Sequence, residues 1–120
     1  MPRLAENKLV KKEMTKLASC TKKYKSAVSK YTKSNTKYLK RYDSVLAKDK
    51  TPTLKDRKEL KKLKDAVKKL STKVDTIKND CDENAITLED MMAEGKVVKE
   101  ETKIKIQQLF DKLDEEIDEE

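Results

Sequence analysis

The chain has no histidine and no tryptophan, one glycine, one phenylalanine, two prolines and two cysteines in 120 residues. Each shortage excludes something. Without histidine there is no His-based nucleophile relay and no imidazole ligand for a metal. One glycine cannot build a phosphate-cradling loop or a dinucleotide fingerprint. Two cysteines are too few for a disulfide framework or a zinc site. No run of about 18 apolar residues is present, so no transmembrane helix is expected. No apolar signal-peptide core follows Met1 either, which points to an intracellular location, with cytoplasm, nucleus and virion equally compatible. The carboxylates of Asp80–Asp90 and of the C-terminus lack the spacing of a calcium loop and read as solvated acidic surface. Lys16, Lys22 and Lys23 could lower the thiol pKa of Cys20, but nothing near it forms a substrate pocket. No catalytic residue, metal or cofactor is therefore expected.

What the chain does have is charge. Asp, Glu, Lys and Arg make up 44% of it and hydrophobic residues 35%. That is too little apolar volume for a compact globule to offset chain entropy. Disorder and long helices burying one narrow stripe each are the alternatives, and periodicity decides between them. The net charge of +7 also hides a polarity: residues 1–79 carry +17 and residues 80–120 carry −10.

From Val10 to Val45 apolar positions recur at alternating spacings of four and three: Val10, Met14, Leu17, Thr21, Tyr24, Val28, Tyr31, Asn35, Tyr38, Tyr42, Val45. This is a heptad seam with only Thr21 and Asn35 polar, and it contains a direct seven-residue repeat opened by Tyr24, Tyr31 and Tyr38. It predicts a first helix over about 5–47. Pro52 interrupts the pattern and suits a first helical turn behind a Thr51 cap, with Thr53 and Asp56 as an alternative capping pair. A second seam, Leu60, Leu63, Val67, Leu70, Val74, Ile77, Cys81, predicts a helix over about 53–82. The cluster of Asn and Asp over 79–84 competes for backbone hydrogen bonds and predicts a break. Thr87 then reads as the cap of a third helix over about 88–117, with a fraying acidic tail.

A short loop between two heptad helices favours an antiparallel hairpin, in which facing residues have a near-constant index sum. Tyr42 with Leu60, Tyr38 with Leu63, Asn35 with Val67, Tyr31 with Leu70, Val28 with Val74 and Tyr24 with Ile77 alternate between 102 and 101. The fold expected is all-α: an elongated antiparallel coiled-coil hairpin with a third helix packing back, a three-helix rod forming a single domain. Cys20 and Cys81 also sum to 101. The plainer reading is two small, buried, reduced residues; the sharper one is a disulfide locking the open end of the hairpin.

In this register helix 1 overhangs helix 2. Leu9, Val10, Met14 and Leu17 would form an apolar strip for self-association or for a protein partner. The acidic tail would meet the basic tip formed by Lys48, Lys50, Lys55, Arg57, Lys58, Lys61 and Lys62, or the basic region of a neighbouring copy. Asn35, polar within an apolar seam, is the candidate for fixing register or partner number. Lys16, Lys23, Lys30 and Lys37 recur every seven residues with Lys12, Lys33 and Lys40 beside them. This column reads either as a solubilising outer face or as a ladder for nucleic acid or an anionic membrane. A non-catalytic scaffold, spacer or clamp is the function expected, with charge-driven polyanion or membrane binding as the alternative and no small-molecule substrate.

Overall fold

The computed structural model describes residues 8–48 and 50–118. Among these residues there are three helices and no strand: α1 (Lys8–Leu46), α2 (Leu54–Ala93) and α3 (Glu100–Asp118). α1 packs mostly against α2, and α3 packs back, so the expected hairpin with a returning third helix is the architecture found. Residues 5–7 of the predicted first helix, Asp49 of the turn, and residues 119–120 of the tail lie outside the described residues.

α1 contains neither proline nor glycine over its 39 residues. Its end tightens as Ala47 N–H donates to the Asp43 carbonyl at 2.9 Å and Lys48 N–H to the Val45 carbonyl at 3.3 Å. α2 begins two residues later than a Thr51 cap would place it. Thr53 is the cap: its Oγ1 accepts from the Asp56 N–H at 3.1 Å, and Asp56 Oδ2 accepts from the Thr53 N–H at 3.2 Å. This reciprocal pair satisfies two donors that a helix start otherwise leaves open, and Pro52 falls outside the helix.

The break expected over 79–84 is absent. α2 continues to Ala93, so the predicted boundaries of 82 and 88 are both corrected. Cys81, Leu88 and Met91 are buried along the continuing stripe, and that packing outweighs the weak helix propensity of Asn79, Asp80, Asp82 and Asn84. Thr87 is no cap; its Oγ1 donates to the Glu83 carbonyl at 2.9 Å within the helix. The helix stops at the only glycine. Gly95 has φ of 73°, its N–H donates to the Met92 carbonyl at 3.1 Å, and the Lys96 N–H reaches the Met91 carbonyl at 2.9 Å. Those two bonds around a left-handed residue form a Schellman stop, a conformation other residues adopt only with strain. α3 follows with Glu100 and Glu101 in its first turn, where negative charge suits the helix dipole.

The chain divides into two compact units: Met1–Lys25 with Ile77–Glu120, and Ser26–Thr76. In the first, Val10, Leu17, Cys20 and Tyr24 of α1 are buried, as are Cys81, Leu88 and Met91 of α2, Val97, and Ile106 and Leu113 of α3. Thr21 is buried in this core too and meets its hydrogen-bonding need within α1, donating to the Leu17 carbonyl at 2.9 Å. In the second unit only Ala27, Val45 and Val74 are buried apolar side chains among the described residues. Tyr31, Asn35, Tyr38, Leu60, Leu63, Val67 and Leu70 are half-buried.

Candidate interaction surfaces

The N-terminal strip does not exist as an exposed surface. Val10 and Leu17 are fully buried and Met14 is half-buried; only Leu9 is exposed. The expectation failed with the helix boundary, because α2 extends beyond Cys81 and α3 lies alongside. Met14 and Ala18 of α1 line a cleft whose opposite side carries Lys105 and Leu109 of α3. Farther along both helices Lys25 Nζ lies 3.7 Å from Glu116 Oε1, so α3 runs parallel to α1.

Glu116 is itself buried and is also reached by Lys112 at 3.3 Å. Glu116 of the acidic segment is thus engaged within the first unit, with Lys25. The tip has its own counter-charge. Asp56, besides capping α2, accepts from Arg41 Nη2 at 3.2 Å and from Lys48 Nζ at 3.4 Å. Arg41 also reaches Glu59 at 3.1 Å. The Thr53 backbone N–H, aided by the Thr53 side chain and by Lys48, holds the Asp56 carboxyl below its ordinary value of 3.8, against the opposing effect of burial. The turn is therefore organised around one carboxylate that touches both flanking helices.

Cys20 and Cys81 are joined as a disulfide, with Cα atoms 5.6 Å apart. The sequence register set them at one level, and the close helix approach needed for a bridge is present. Asn35 sits half-buried in the second unit, as its seam position requires. Lys12, Lys16, Lys23, Lys30, Lys33, Lys37 and Lys40 are all exposed on α1. Of these, Lys16 is paired with Glu13 at 3.3 Å.

One surface was missed by sequence reasoning. α2 and α3 flank an open groove of ≈ 720 Å³ lined by Ile86, Met92, Phe110 and Leu113 together with Asp82, Glu89 and Asp114. Ile86 is 55% exposed within this surface. The signal was the apolar stripe continuing past Cys81 through Ala85, Leu88 and Met92, which the expected break concealed. No helix among the described residues is long and apolar enough to cross a membrane. Comparison with protein-family models, with curated proteins and with solved structures returns no match.

Proposed function

We propose that this is a non-catalytic assembly protein, a scaffold, spacer or clamp that acts through helix–helix contact. The observation that carries the reading is where the apolar side chains go. They line seams between helices, and of those left exposed Leu39, Tyr42 and Leu46 follow one another along α1 while Ile86 stands in the α2–α3 groove, surfaces of the kind that takes another helix. Chemical cross-linking in the native source followed by identification of the joined peptides tests this reading. Cross-links from Leu39–Lys50 or from Asp82–Asp114 to another polypeptide are the expected result, and their absence across the whole chain would defeat it.

Within this reading Asn35 selects among registers at some cost in stability, so Asn35→Leu should raise the melting temperature and broaden the distribution of oligomers. An unchanged distribution would reduce Asn35 to a tolerated polar site. The second reading is charge-driven binding of nucleic acid or anionic lipid, favoured by the exposed lysine column of α1 described above. Lysine contacts of this kind neutralise phosphates without reading bases, so affinity for duplex DNA would fall steeply between about 50 and 200 mM salt. No binding at the lower salt would remove the nucleic-acid arm, and liposome co-sedimentation tests the lipid arm. An intracellular location belongs to both readings on one condition: the Cys20–Cys81 bond must resist or escape the reductants that keep cytosolic thiols free.

A further inference from the structure

On α1 a column recurs every seven residues: Ala18, Lys25, Thr32, Leu39, Leu46. Its first two members are occupied by α3, since Ala18 shares a cleft with Leu109 and Lys25 meets Glu116. α3 ends at Asp118. In the second unit the column presents Leu39 and Leu46, 48% and 61% exposed, with Tyr42 beside them at 41%. Positions 39, 42 and 46 have the i, i+3, i+7 spacing with which a helix anchors itself in a groove. The unit that carries them, Ser26–Thr76, holds 16 Lys and Arg against 6 Asp and Glu, a balance of +10.

The complementary surface is the groove between α2 and α3. Ile86, Met92 and Phe110 supply its apolar lining, and Asp82, Glu89 and Asp114 its charge. The segment that builds it, residues 77–120, has a balance of −9. The two surfaces thus match, apolar against apolar and basic against acidic.

We propose that the Leu39–Tyr42–Leu46 stripe of one copy docks into the α2–α3 groove of a second copy. The contact rests on the assembly reading and names its partner. It joins two different surfaces, so a copy that lends its stripe to one neighbour still has its groove to receive the stripe of a copy, and association continues until the contacts close on themselves. Opposite charge fixes the pairing and disfavours stripe-on-stripe contact between two basic units.

Two variants of the full chain test this. Ile86→Glu puts a charge into the groove, and Leu39→Glu with Leu46→Glu puts charges on the stripe; all three positions are exposed, and far-UV circular dichroism checks that both variants remain folded. In sedimentation velocity over a concentration series, the average mass of the wild type should climb above that of the monomer. Each variant alone should associate at least about tenfold more weakly. Mixed in equal amounts, the two variants should form a discrete dimer and nothing larger, because each retains the surface the other has lost. A wild type that stays monomeric, variants that associate as the wild type does, or a mixture that forms no dimer would each overturn the proposal. Monomeric wild type that still cross-links to a different protein in its source would leave the assembly reading standing, which separates the two failures.

Discussion

The two units are built from seams of the same regularity, yet they close differently. Ten of the buried apolar side chains among the described residues belong to the three-helix unit, and three to the two-helix unit. Heptad spacing sets which faces of α1 and α2 meet; it does not decide whether the meeting is dry. A pair of helices can shield only the inner part of each seam residue, so Tyr31, Leu63 and Leu70 remain half-buried where Leu17, Tyr24 and Leu88 are not exposed at all. The third helix makes the difference. In the two-helix unit Leu39, Tyr42 and Leu46 stay exposed.

The strongest test of this contrast is the covalent link. The Cys20–Cys81 bond spans a sequence separation of 61 residues and encloses the whole two-helix unit. Loop-closure entropy for a ring of that size amounts to about 4 kcal/mol of stability. Adding reductant, or replacing both cysteines with serine, should lower the melting temperature accordingly. Amide exchange should then show the larger loss of protection in residues 26–76, where packing is thinnest. Equal loss in both units would break the comparison.

Truncating matched side chains sharpens it. Leu88→Ala removes a fully buried group and should cost about 3 kcal/mol, while Leu70→Ala at a half-buried seam position should cost about 1 kcal/mol. Denaturant unfolding of the two variants measures the difference, and equal values would mean that the second unit is closed by something beyond its own two helices.

The smallest effect belongs to the turn. Thr53→Ala removes one half of the capping pair and should cost about 1 kcal/mol, read as a shift in the urea midpoint. Asp56 makes the same turn sensitive to acid. Its pKa is depressed in the folded chain, so its contribution is complete above the ordinary value of 3.8 and fades as pH falls through the lower folded value. Asp56→Asn should flatten that part of the stability profile, and an unaltered acid limb would show that other carboxylates govern it.

Much of this organisation was legible in the residues. The alternating spacing located α1 and the seam of α2, the index sum of 101 brought the cysteines together, and the cap that formed was the alternative pair Thr53 and Asp56, not Thr51. The misreading at Asn79–Asn84 came from weighing local propensity without the burial of Cys81 and Leu88, which no short window of sequence contains. Two further errors descended from it: a bare N-terminal strip, which the rest of α2 and α3 in fact cover, and the unseen groove at Ile86. Gly95 carried the correct stop signal throughout, but it gains that meaning only once the helix before it is known to continue.

With Cys20 and Cys81 bonded, the polypeptide between them is a closed ring and not a strand held only by its neighbours. Hydrolysis of one peptide bond near Lys50 would then produce a single molecule with a new pair of ends, still tethered at the base of the hairpin. That makes the turn the natural place to insert a foreign segment or to relocate the termini, since connectivity across it no longer depends on the backbone.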